Sequence, residues 1–134
     1  MGYTNYWHHA KKCKEFDPHF LEVVNKIIEK SNVPLEGDSE PKSKPIISPT
    51  MIIFNGAEPD DYETFVLEAN TDDDAFGFCK TARRPYDVVC KAVLLLAMEY
   101  GYVKEFDFDG DKTEEEYIEA EKLYLQTLYE MCNK

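Results

Sequence analysis

Apolar and polar positions change period several times along the chain, and each change marks an element. Residues 3–9, Tyr3-Thr4-Asn5-Tyr6-Trp7-His8-His9, are aromatic and β-prone and predict a first strand. Asp17-Pro18 is a helix start, with Asp17 at the cap and Pro18 in the first helical position. Phe20, Val23, Val24, Ile27 and Ile28 then form one apolar stripe, and the helix ends near Ser31-Asn32. Residues 33–49 hold four prolines and mixed charge and read as a loop. Met51-Ile52-Ile53-Phe54 is a buried-strand pattern closed by Asn55-Gly56. Residues 63–68 give a second strand, and residues 76–79, after the acidic turn 71–74, a third strand of the same meander.

Pro85 opens what the pattern predicts to be the longest helix, running to about Tyr100 with Gly101 as its stop. Val88, Val89, Ala92, Val93, Leu94, Leu95, Leu96 and Met98 leave it apolar on nearly all sides, the mark of a helix buried on more than one face. Val103, Phe106 and Phe108 alternate with Lys104, Glu105 and Asp107, as in an edge strand. Residues 113–132 form a last amphipathic helix, with Tyr117, Ala120, Tyr124, Leu128 and Met131 on its stripe. Thr113 and Glu116 have the spacing of a capping box at its start. The order β-α-β-β-β-α-β-α is that of an α+β domain, a mainly antiparallel sheet with three helices on one face. One domain spans 1–134, with 33–49 an internal proline-rich loop, because neither side of that loop has a core of its own.

Charge changes the picture. Against 15 basic residues stand 27 acidic ones, a net charge of −12. Such a field repels phosphate backbones at long range, so direct nucleic-acid binding is disfavoured. The longest apolar run, Ala92 to Met98, is far below the roughly 20 residues that a membrane span needs. The N-terminus has no apolar stretch of the signal-peptide kind. Cys13, Cys79, Cys90 and Cys132 have no metal-ligand spacing and read as reduced thiols. These features predict a cytoplasmic protein without membrane contact.

The only two arginines, Arg83 and Arg84, follow Lys80 and Thr81 and directly precede Pro85 and Tyr86. Basic side chains at a helix start are electrostatically awkward unless an anion relieves them. That anion is either an external phosphate or carboxylate, with Thr81 and Tyr86 assisting, or an internal carboxylate such as Asp87, Glu63 or Asp61. A second cluster lies on the first strand. Tyr3, Asn5, Trp7 and His9 point one way and Thr4, Tyr6 and His8 the other, so one face offers Trp7 and His9 to a ligand or to the core. Asn55 and Glu63 complete the candidate binding set. The run from Glu105 to Glu116 matches a calcium loop imperfectly, and Asp109-Gly110 with the capping box accounts for the same residues. No cofactor motif, metal-ligand set or nucleophile–base pair is visible, which points away from an enzyme.

Phe78-Cys79-Lys80-Thr81-Ala82-Arg83-Arg84-Pro85-Tyr86-Asp87 resembles the F-C-K-T-A-R-K-P-Y-D block of a family of small phage and bacterial proteins. Gly2-Tyr3-Thr4-Asn5-Tyr6-Trp7, Phe54-Asn55-Gly56 and Glu63-Thr64-Phe65 resemble that family's other blocks, so the likeness spans most of the chain. Arg84 stands where the family has lysine, and the last helix lacks the family's tryptophan. The resemblance implies a phage-type setting and, by analogy, an anti-defence protein. Three functions fit. The first is an oligomeric module that sequesters a phosphorylated or nucleotide-derived ligand at Lys80–Tyr86. The second is an acidic inhibitor that occupies a basic surface of a host defence protein. The third is a small nucleotide-processing enzyme using His8 or His9.

Overall fold

The computed structural model describes residues 3–10, 13–37 and 43–132. Gly2 of the opening block and residues 38–42 of the proline-rich segment lie outside them. In chain order the elements are β1 Thr4–His9, α1 Pro18–Ser31, β2 Leu35–Glu36, β3 Ile46–Ile47 and β4 Met51–Gly56. They continue with β5 Phe65–Glu68, β6 Phe76–Lys80, α2 Asp87–Glu99, β7 Val103–Phe108 and α3 Glu115–Cys132. The α+β class and the three helices are as the sequence predicts.

α1 forms for the reasons its sequence gives. Asp17 Oδ1 accepts from the His19 N–H at 2.8 Å, Pro18 opens the helix, and Asn32 ends it in the left-handed conformation at φ 57°. Its buried side chains are Phe20, Val23, Val24 and Ile27. α2 packs against α1, α3 and β7, which is why it is apolar all round. Pro85 sits in a turn before α2 rather than in its first turn. α3, with 18 residues against 13, is the longest helix among the described residues.

The strands divide differently from the single sheet that the sequence predicts. Two antiparallel sheets form. In the first, β1 is central between β6 and β7. In the second, β4 is central. β3 and β5 both pair with Ile52 and Ile53 of β4 and so take its two edges, while β2 pairs with Asn55 and Gly56. Those two short strands lie inside the segment expected to be all loop, and pairing with β2 carries β4 through Asn55-Gly56.

The meander breaks between β5 and β6. β6 pairs with β1, in register Trp7↔Gly77, and not with β5. The hairpin is interrupted just before β5, opposite the end of β6. Glu63 N–H donates to the Lys80 carbonyl at 3.1 Å, but the return bond is missing. Lys80 N–H donates instead to the Glu63 side chain at 2.7 Å, and the Glu63 carbonyl accepts from the Tyr86 hydroxyl at 2.6 Å. Beyond that point Trp7 binds the two sheets together. Its indole lies over Gly77 and packs on Phe65 of β5 at 5.4 Å, and Phe65 packs on Phe54 of β4 at 4.9 Å.

Gly77 is therefore a packing requirement, since a Cβ there would overlap the indole. Gly77→Ala should lower the unfolding free energy by about 1–3 kcal/mol in urea denaturation, the usual cost of overpacking. An unchanged midpoint would show that the indole moves aside freely. Cys79 and Cys90 are fully buried, and burial pushes the Cys90 thiol up. Cys132 is exposed, and none of the four cysteines is in a disulfide. A thiol reagent should label Cys132 in the native protein and reach Cys79 and Cys90 only on unfolding.

Candidate functional site

The candidate residues fall into three places. Glu63, Lys80 and Tyr86 meet just before β5, at the end of β6, and Asn55 stands nearby in sequence on β4. Asn55 is fully engaged in holding the turn that follows β4. Its Nδ2 donates to the Tyr62 carbonyl and the Thr64 hydroxyl, at 3.0 and 3.3 Å. Its Oδ1 accepts from the Gly56 and Tyr62 N–H groups, at 2.7 and 3.1 Å. Glu63 and Tyr86 are held by the bonds already described.

Tyr3, Thr81 and Arg83 meet at the start of α2. Ala82 and Arg83 are both left-handed, at φ 53° and 60°, a conformation that costs non-glycine residues about 1–2 kcal/mol each. The turn persists because its backbone is overdetermined. Thr81 and Ala82 N–H both donate to the Tyr3 carbonyl at 3.0 and 3.2 Å, and Arg84 N–H donates to the Thr81 carbonyl at 3.0 Å. The turn folds Arg83 back over the Tyr3 ring, 4.1 Å from its centroid. From there the guanidinium donates to Glu114 Oε2 at 2.8 Å and Glu116 Oε2 at 3.0 Å, at the start of α3. Those two carboxylates hold its proton more firmly than usual.

Of the two origins for the relieving anion, Arg83 thus has the internal one, but its partners are not those the sequence put forward. Asp87 is fully buried and committed to Lys91, which donates to its Oδ2 at 2.6 Å. Asp87 Oδ1 accepts from Asn5 Nδ2 at 2.8 Å and Thr81 Oγ1 at 2.6 Å. Lys91 Nζ also lies 4.4 Å from the Tyr3 ring centroid and 4.6 Å from that of Phe108. Burial lowers the Lys91 pKa, and Asp87 opposes that shift. Arg84 is exposed and Lys80 half-buried, and neither side chain has an ion pair among the described residues.

Trp7 and His9 lie further along β1. Tyr3, Asn5, Trp7 and His9 all face inward and are buried. Burial lowers the His9 pKa. Three buried atoms on this inner face, Tyr3 OH, Asn5 Oδ1 and Trp7 Nε1, have no hydrogen-bond partner. The accessible face of β1 is the opposite one. Tyr6 stacks on Phe76 at 6.0 Å, His8 lies 5.4 Å from Phe76, and Phe76 stacks on Phe78 at 6.0 Å. Phe76 and Phe78 are 55% and 57% exposed. Across β1 from them, Asp107 pairs with Tyr6 and Glu105 with His8, and Tyr6 OH donates to Asp109 at 2.8 Å. This aromatic ledge with a carboxylate border is the feature that sequence reasoning missed. Its signal was the Phe76-x-Phe78 and Tyr6-x-His8 alternation, meaningful only once β6 is known to lie beside β1.

The acidic run does not assemble as a calcium loop. Asp109 takes the Thr4 N–H and Tyr6 hydroxyl, and Asp111 takes the Thr113 N–H and hydroxyl at 2.7 and 2.6 Å. Asp111 thus supplies the turn before α3, and Glu116 is held by Arg83 rather than closing a capping box on Thr113. Among the described residues no group of three or more His, Cys, Asp or Glu side chains is placed to hold a metal. No described helix is long and apolar enough to cross a membrane. No protein family, curated protein or solved structure matches the chain.

The two cation sites should respond differently to mutation. Lys91→Met leaves the Asp87 carboxylate buried without its counter-charge and should cost about 3–5 kcal/mol. Arg83→Ala removes a half-exposed pair and should cost about 1 kcal/mol or less. Urea denaturation of both variants checks the ranking, and a reversed order would refute the buried pair as the anchor of this region.

Proposed function

We propose that the chain is a non-catalytic interaction protein, an acidic domain that occupies a basic surface of another protein. The aromatic ledge carries this reading. Phe76 and Phe78, more than half exposed, sit beside Tyr6 and His8 and are bordered by Glu105, Asp107 and Asp109. Rings bordered by carboxylates suit a partner that presents arginine or lysine among apolar side chains. The net charge of −12 steers such a partner in from a distance. His8 and His9 stand on opposite faces of β1, which does not favour a shared acid–base role. The phage-type resemblance supports a host defence protein as the partner and a cytoplasmic setting.

One observation favours a second reading. Lys80 and Arg84 flank the turn before α2 without a carboxylate partner among the described residues, and an anion such as a phosphorylated small molecule suits them. In that reading Arg83 positions the turn and Arg84 meets the ligand.

Replacing both Phe76 and Phe78 with serine should leave the thermal midpoint within a few degrees of the parent. It should abolish capture of the principal partner from host lysate in a pulldown read by mass spectrometry. Capture by the parent should also weaken as salt rises. Equal capture by the double variant, or insensitivity to salt, would rule the ledge out. Native mass spectrometry that finds a phosphorylated compound on the parent but not on Arg84→Ala would favour the second reading instead.

A further inference from the structure

The two sheets part at the seam between β5 and β6, and the seam leaves strand edges unused. β5 pairs only with β4, and β6 only with β1. Which groups face the seam follows from the ladders. Ala69 N–H donates to the Thr50 carbonyl and His9 N–H to the Ala75 carbonyl, both at 2.9 Å. Antiparallel pairs alternate between bonded and non-bonded, so Phe65 and Leu67 address β4 and Gly77 and Cys79 address β1. The peptide groups of Val66, Phe76 and Phe78 therefore point into the seam, and none has a backbone partner there among the described residues.

Between these edges lies a cleft of about 350 Å³, lined by Trp7, His9, Val66, Glu68, Phe76 and Phe78 among others. Trp7 is 98% buried, being 2% exposed, yet its Nε1 donor is unpaired. The indole edge that carries Nε1 lies against Gly77, at the cleft, where only the missing side chain leaves it room.

We propose that this cleft is a strand-addition site, which takes an extended cationic segment of a partner protein along the open edges of β5 and β6. An extended peptide offers donors and acceptors in alternation at the spacing of a strand edge. On the exposed face its side chains are in turn apolar, beside Val66, Phe76 and Phe78, and cationic, beside Glu68 and in the field of a −12 protein, and on the other face they are small. The inference rests on the interaction reading above and deepens it, because Phe76 and Phe78 belong to both the ledge and the cleft.

The test uses the isotope-labelled full chain and two probes. One is a short amidated peptide with alanine at every second position and valine and arginine in turn at the positions between, and the other is the same peptide N-methylated at alternate nitrogens. The first should shift the Val66, Phe76 and Phe78 amides and the Trp7 indole N–H, and the second should bind roughly tenfold more weakly, the loss of one or two hydrogen bonds. Val66→Pro removes one seam-facing N–H without touching the β4 ladder, and should fold and lose the shifts. Equal binding of both peptides with those amides unmoved would overturn strand addition and leave docking on the ledge standing. So would failure of either peptide to bind at millimolar concentration while the serine double variant still loses its partner. Loss of neither would sink the interaction reading as well. Shifts of the same amides that grow with protein concentration alone would overturn the proposal in favour of a second copy on the edge.

Discussion

The Asp87 carboxylate is the constraint on which the arrangement of this domain turns. A carboxylate with no exposure to water is tolerated only when its charge is balanced and its oxygens are bonded. Asp87 meets both conditions by drawing on three parts of the chain. Asn5 comes from the central strand of the first sheet, Thr81 from the turn after β6, and Lys91 from the next turn of its own helix. Satisfying one charge thereby fixes β1, β6 and α2 relative to one another. Tyr3 extends the arrangement. Its ring packs against Lys91 and Arg83, and Arg83 reaches the start of α3 through Glu114 and Glu116. The left-handed pair Ala82-Arg83 is held in a costly conformation because these contacts require it.

A second tie sets where the sheets divide. Trp7 needs Gly77 beside it on β6 and Phe65 beneath it on β5. With the indole in that position, β6 belongs to β1. The strap from Glu63 to Tyr86 closes the hairpin after a single backbone bond. The same packing that stabilises the core thus leaves two strand edges and a row of phenylalanines facing outward. Open edges and exposed rings are features that folded proteins usually suppress. Their presence together at one seam is why we propose the interaction site there rather than at the basic start of α2.

The cations at that start divide by whether a carboxylate meets them. Arg83 and Lys91 are held in ion pairs, and Lys80 and Arg84 have none among the described residues. Neighbours in sequence have different partners because the left-handed turn sends Arg83 back over Tyr3 and leaves Arg84 exposed.

Local chemistry was legible along the chain itself. Asp17-Pro18 starts α1 and Asn32 ends it. The all-apolar stretch after Tyr86 declares a helix buried on several sides, and the alternation of 103–108 declares an edge strand. These depend on neighbours within a turn or two, and residue type alone sets them. The pairing of β6 was not legible, nor was the direction in which Trp7 and His9 face, because both depend on residues some seventy positions apart meeting across β1. A strand's period separates its two faces but does not say which face meets the core. The sequence therefore determined the class, the three helices and the longer strands, and named Arg83 as a cation needing an anion. Only the tertiary structure decided that Glu114 and Glu116 supply it, that the Tyr3–Trp7 face is interior, and that Phe76 and Phe78 are left exposed. Long-range packing against Gly77 and around Asp87 makes those choices, and no local preference encodes them.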